Sequence, residues 1–167
     1  MPKIIYDAVE YDSQEELDFK HWLDEAYENN LIWWYRRQEK GKDTIQLIKK
    51  QYLKNNEKRV AFQPVNYTPD FLVHDNHFTP FLEKETSEGF NYIDVKGGFS
   101  RFNDKKQFQL IRKMMYYFKG IYVHIVIPDE LFLKTWVPEK CRYTAKTGKI
   151  KKKFVNTPTI KEYLKRM

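Results

Sequence analysis

The stretch from Phe90 to Pro128 most restricts what this chain can fold into. Phe90 to Lys96 alternates as a strand does, and Gly97-Gly98 stops it. Asn103 or Asp104 then caps a helix running to about Phe118, with Phe108, Ile111, Met115 and Phe118 on its buried face. Gly120 is the natural end of that helix. Ile121 to Ile127, closed by Pro128, is apolar enough for a sheet centre. Upstream, Ser13 is placed to cap a helix to about Glu28, with Glu16 three residues on as in a capping box and Phe19, Trp22, Leu23, Ala26 and Tyr27 at helical spacing. Between the helices, strands are predicted at Leu31 to Tyr35, at Tyr67 to Val73 around a proline, and at Phe78 to Glu85. Thr44 to Lys54 fits either period; the polar turn at Asn55 to Lys58, with Val60 to Gln63 after it, favours an extended hairpin. This order predicts an α/β (α+β) domain with a central mixed β-sheet flanked by helices.

At 167 residues the chain suits one domain, and twelve Phe, twelve Tyr and four Trp supply its core despite the charged composition. No apolar run approaches the roughly 18–20 residues that span a bilayer, and the start lacks a secretion-signal pattern, so a cytoplasmic protein with no membrane partner is expected. A single cysteine, Cys141, excludes an internal disulfide and reads as a packing residue. Charge is segregated. Residues 1–30 hold two lysines against nine acids, and the basic C-terminal extension at 134–167 holds eleven Lys/Arg against two. Within it, Lys146, Lys149, Lys151, Lys152 and Lys153 surround a hairpin tip at Thr147-Gly148 and can track phosphates by charge alone, without reading sequence. A solvated surface that aids solubility is the plainer reading of the same lysines.

The chemistry gathers at Pro69-Asp70 and, after 23 intervening residues, Asp94-Val95-Lys96. On a strand Asp94 and Lys96 share one face, while Ile93 and Val95 turn to the other. If Asp70 reaches the same point, two carboxylates and the Val95 backbone carbonyl suit an octahedral Mg²⁺ that keeps water and phosphate in its remaining positions. Such an ion polarises a phosphate and activates water, which leaves Lys96 to orient water and stabilise charge. The plainer alternative is an exposed Asp94–Lys96 ion pair beside a turn. Against it, an acid on a buried strand needs a partner.

Tyr67-Thr68-Pro69-Asp70-Phe71-Leu72, Ile93-Asp94-Val95-Lys96-Gly97, then Asp104-Lys105-Lys106 and the strand at 121–127 resemble the PD-(D/E)xK nuclease superfamily. The likeness is strongest to the phage endonuclease I group of Holliday-junction-resolving enzymes, whose first-helix glutamate is matched by Ser13-x-x-Glu16. It spans about residues 13–127. It implies a restriction-endonuclease-like core with Asp70 and Asp94 on metal (Mg²⁺ or Mn²⁺), Lys96 serving catalysis, and Glu16 at a second metal or a water. Glu15 is the fallback for Glu16, and a pure capping role for Glu16 is the alternative. It further implies a homodimeric endonuclease cutting branched DNA to 5′-phosphate and 3′-hydroxyl ends, in a bacterial or phage-infected cell. Asp94 stands where the group carries Glu, and the longer spacing leaves Glu83 and Glu85 as competing acids.

Arg36, Arg37, Arg101, Lys105 and Lys106 are further candidates for DNA contact, the last three beside a helix start that attracts phosphate. His74 and His77 read as a surface loop, and Trp33 and Trp34 as core or dimer interface. A non-catalytic nucleic-acid-binding protein, a linear-duplex restriction or nicking enzyme, and a small structural or inhibitory protein are the competing functions.

Overall fold

The structure, a computed structural model, describes residues 3–84, 89–97 and 102–167, and the side chains of these except 56, 57 and 102–105. A short hairpin, β1 (Ile4–Tyr6) and β2 (Val9–Tyr11), leads into helix α1 (Gln14–Glu28). The Ser13 hydroxyl caps α1 by accepting the Glu16 N–H at 3.2 Å. Strand β3 (Ile32–Arg37) follows, then β4 (Ile45–Ile48), β5 (Gln51–Leu53), β6 (Asn56–Phe62), β7 (Val65–Tyr67), β8 (Phe71–Asp75) and β9 (Phe90–Val95). Helix α2 (Phe102–Lys119) leads to β10 (Val123–Val126), α3 (Pro128–Lys134), α4 (Glu139–Arg142), one 3₁₀ turn (Lys152–Phe154) and α5 (Ile160–Leu164).

A four-stranded mixed sheet, ordered β10-β9-β8-β3, organises the molecule. Strands β9 and β10 run parallel, and α2 makes the crossover such a pair requires; β8 is antiparallel to both β9 and β3. The expected α/β architecture is therefore present. On one face, Phe71, Val73, Ile93 and Val95 meet Phe19, Trp22, Leu23 and Ala26 of α1. Trp22 stacks on Trp136 at 4.7 Å between ring centroids, and its indole N–H donates to the Thr135 hydroxyl at 3.1 Å. On the other face a smaller cluster joins Val123 and Tyr92 to Met115, Ile111 and Phe108 of α2 and to Leu47, Val65 and Tyr67. Burying a side chain of Trp or Phe size is worth about 1.5–3 kcal/mol, so the α1 face carries most of the stability.

Several expectations change. The apolar strand at 121–127 lies at the sheet edge, not its centre; it is apolar because the α2 cluster covers Val123 and the α1 cluster takes Val126. The predicted strand at 67–73 is two strands, since Pro69 offers no N–H to a ladder. The segment from Phe78 to Lys84 forms turns instead of a strand: Pro80 breaks the donor pattern, and the Leu82 N–H returns to the Thr79 carbonyl at 3.1 Å. Glu85 lies outside the described residues. Tyr27 and Phe118, expected on buried helix faces, are about half exposed because each sits in the last turn of its helix, beyond the sheet cover. Trp33 and Trp34 are not core either, being 58 % and 36 % exposed on edge strand β3.

Other readings hold. The 44–63 region is extended, with β5 and β6 as a hairpin. Gly120, at φ +68°, ends α2 by donating to the Tyr116 carbonyl at 2.9 Å. Cys141 is buried, and burial pushes its thiol well above the usual range. The segment from 134 onward is no loose tail, because Trp136, Val137, Cys141 and Phe154 belong to the main core. No helix among the described residues is long and apolar enough to cross a membrane.

Candidate active site

Asp70 occupies the junction between β7 and β8. Its N–H donates to the Ile93 carbonyl and its carbonyl accepts the Gln38 N–H, both at 2.9 Å, so its backbone is held between β9 and the end of β3. Pro69, one residue earlier, brings no N–H to the ladder, and beyond the last β8–β9 pair the Val95 N–H donates to Asp70 Oδ2 at 2.7 Å.

Asp94, 3 % exposed, projects from the α2 face of β9. Its Oδ1 accepts the Tyr67 hydroxyl at 2.7 Å, and its Oδ2 faces Lys96 Nζ in an ion pair but accepts no hydrogen bond, so the buried acid is balanced in charge and only partly satisfied. Lys96 is held by its N–H on the Val126 carbonyl at 2.8 Å, and its ammonium lies 4.7 Å from the Phe108 ring centroid. The alternation expected along β9 is present, with Ile93 and Val95 in the α1 core.

Glu16, 7 % exposed in the first turn of α1, lines a cleft of about 250 Å³ with Asp70, Pro69, Thr68, Asp12, Arg37, Gln38 and Lys40. Its Oε2 accepts the Asp12 N–H at a long 3.4 Å, so it supports the helix start and shares the cleft with Asp70 at once. Glu15 points elsewhere. A Cβ placed on Gly97 would fall 2.5 Å from Glu15 Oε1, so that carboxylate packs beside the backbone just after Lys96.

The electrostatics identify the strained group. Burial, then the Asp94 and Glu16 carboxylates, push Asp70 up to about 8, against the Val95 N–H and Lys96 pulling down. Burial and Asp12 raise Glu16, opposed by the Asp12 N–H. Tyr67 is raised by burial and by Asp94, so it remains a hydrogen-bond donor. Among the described residues no three His, Cys, Asp or Glu side chains close into a finished ligand set. The donors nevertheless suit a hard divalent cation: three carboxylates within electrostatic reach, one pushed toward neutrality by burial and then by the other two, form a deficit of positive charge that such an ion relieves.

The remaining candidates disperse. Glu83 is claimed by the fold: its Oε2 accepts the Ile125 N–H at 2.9 Å and pairs with Arg112 at the sheet edge. Arg36 pairs with Asp43 at 3.0 Å, whereas Arg37 enters the cleft. Lys106 is exposed early in α2; Arg101 and the Lys105 side chain lie outside the described residues. Lys146, Lys149, Lys152 and Lys153 are exposed around a turn bridged between Tyr143 and Ile150, Lys151 is half-buried, and none lines the cleft. His74 stacks on Phe90 at 4.4 Å and has no metal-like partner among the described residues. Sequence reading missed Tyr67 as a partner of Asp94, though it stands three residues before Asp70 in the motif, and missed Gln38, for which no local signal exists.

The chain matches no protein-family model, no curated protein and no solved structure.

Proposed function

We propose that this protein is a metal-dependent DNA endonuclease hydrolysing phosphodiester bonds. The observation that carries the reading is the meeting of Asp70 and Asp94 at the ends of adjacent strands, with Lys96 on Asp94 and Glu16 sharing the cleft with Asp70. Asp70, Asp94 and the Val95 carbonyl would hold Mg²⁺ or Mn²⁺, with Glu16 at a second ion or a water. The ion would supply charge to the phosphate and lower the pKa of a bound water. Tyr67 fixes the orientation of Asp94 through its hydroxyl. Lys96 orients the attacking water and offsets developing charge, and Arg37 offers its guanidinium to the phosphate from the cleft wall.

Branched DNA is the proposed substrate, cut by a homodimer to 5′-phosphate and 3′-hydroxyl ends in a bacterial or phage-infected cytoplasm; the resemblance of the two motifs supports this part. Purified protein is incubated with labelled four-way junction, linear duplex and single-stranded DNA, each with Mg²⁺ or EDTA, beside Asp94→Ala. Mg²⁺-dependent cutting of the junction alone, abolished in the variant, is expected. Cutting of all three keeps the nuclease and removes the junction. Salt-sensitive binding with no cleavage would instead favour a non-catalytic nucleic-acid-binding protein, a reading supported by the exposed lysines of the C-terminal turn.

A further inference from the structure

Gln38 is the least expected residue of the cleft. It follows the last residue of β3, and its N–H on the Asp70 carbonyl extends the β3–β8 pairing by one step, so its position is tied to that of Asp70. The side chain is 6 % exposed, yet its Nε2 is a buried donor with no hydrogen-bond partner. A fold seldom leaves such a donor unpaired, because desolvating it without a new acceptor costs free energy. Here the orphan stands in the wall of the same cleft as Asp70 and Glu16.

The cations of the cleft narrow what it awaits. Lys3 pairs with Glu10, and Lys40 with Asp12 at 2.5 Å. Arg37 has no carboxylate partner among the described residues; its guanidinium lies over the Tyr11 ring, 5.1 Å from the centroid. An unpaired guanidinium and an unpaired carboxamide donor, on consecutive residues beside the carboxylates, together suit an anionic oxygen.

We propose that Gln38 is a substrate-contacting residue: its carboxamide N–H, together with Arg37, holds a non-bridging oxygen of the phosphodiester seated beside Asp70 and Glu16. This rests on the nuclease reading. Nε2 is sealed from solvent, so engagement requires rotation about the last side-chain torsion, which is broad and soft for glutamine.

The test compares wild type with Gln38→Met, which keeps the shape and removes the donor, by cleavage kinetics, thermal melting and the Gln38 side-chain amide signal in isotope-labelled wild type. The amide signal is followed as a short DNA duplex is added with Ca²⁺ in place of Mg²⁺. The expected result is a kcat lowered about 10- to 100-fold, on the scale of losing one donor to a charged transition state. KM should stay within about twofold. The melting temperature should not fall, because the removed donor had no partner, and the amide signal should shift with duplex. Cleavage by Gln38→Met at the wild-type rate, or a rate loss matched by a fall in melting temperature, overturns the proposal and leaves the nuclease reading intact. If wild type cuts no DNA, the nuclease reading fails and the amide decides alone: a shift supports the phosphate contact and an unmoved signal overturns it. The amide likewise decides if the variant does not fold.

Discussion

Asp24 and Asp70 are both half-buried aspartates near the main core, and they have opposite fates. Burial pushes Asp24 up, but hydrogen bonds from His21, Lys20 and Tyr35 outweigh it and hold the carboxyl down at about 2. Asp70 is more deeply buried, receives one backbone N–H, has Asp94 and Glu16 as neighbours, and rises to about 8. The first acid joins α1 to β3 and is complete as it stands. The second is incomplete without a positive charge, and that incompleteness, added to its deeper burial, separates a candidate site from a structural contact. Glu83 agrees with Asp24: it has Arg112 and the Ile125 N–H, and serves the sheet edge.

The sharpest way to break this comparison is to remove each acid. Asp70→Ala should lower Mg²⁺-dependent cleavage by about 10³-fold, the upper scale for losing a group that stabilises transition-state charge. Asp24→Asn should leave the cleavage rate near wild type and cost about 1–3 kcal/mol of stability by denaturant unfolding, as expected for a buried hydrogen-bonded charge. If Asp24→Asn abolishes cleavage in a folded protein, the division between the two acids is wrong.

The second test is pH, with opposite signs. Asp24, depressed to about 2, contributes stability that is present above its unfolded value near 3.8 and is lost as pH falls toward 2. Asp70, raised to about 8, destabilises the metal-free fold progressively as pH rises from about 4 to 8, because the folded state retains a proton the unfolded chain has lost. In EDTA, Asp70→Asn should therefore melt above wild type at pH 9, by about 2–4 °C for each kcal/mol of destabilisation relieved in a chain of this length. At pH 4 the difference should vanish. Calorimetry should also show Mg²⁺ binding tighter at pH 8 than at pH 6, with proton release, since the metal needs Asp70 ionised.

Smaller effects sharpen the picture. Tyr67→Phe removes the hydroxyl on Asp94 and should cost about 1.5–3 kcal/mol, the value for a hydrogen bond to a charged group, divided between melting temperature and cleavage rate. An unchanged rate would make Tyr67 purely structural. Replacing the exposed Lys146, Lys149 and Lys152 by alanine should change only DNA affinity, reducing the salt dependence by about 0.9 for each phosphate no longer neutralised. A loss of kcat there would place the C-terminal turn nearer the chemistry than the cleft lining indicates.

Where one stretch of chain contained both the signal and its result, the sequence was legible. The Ser13 cap, the apolar stripe of α1, the glycine that ends α2 and the alternation placing Asp94 and Lys96 together are all short-range, because helix and strand periods act on neighbouring residues. Asp70 and Asp94 were found for the same reason, each interrupting a local apolar pattern. Tertiary structure decided the rest. The edge position of β10, the turns at 78–84 and the packing of Trp136 and Phe154 into the core depend on which distant surfaces meet. So do the Tyr67 hydroxyl on Asp94, 27 residues apart, and the orphaned Gln38 amide beside Asp70. Residue type supplies a donor or an acid; whether it is satisfied is settled only by what long-range packing brings within hydrogen-bond reach.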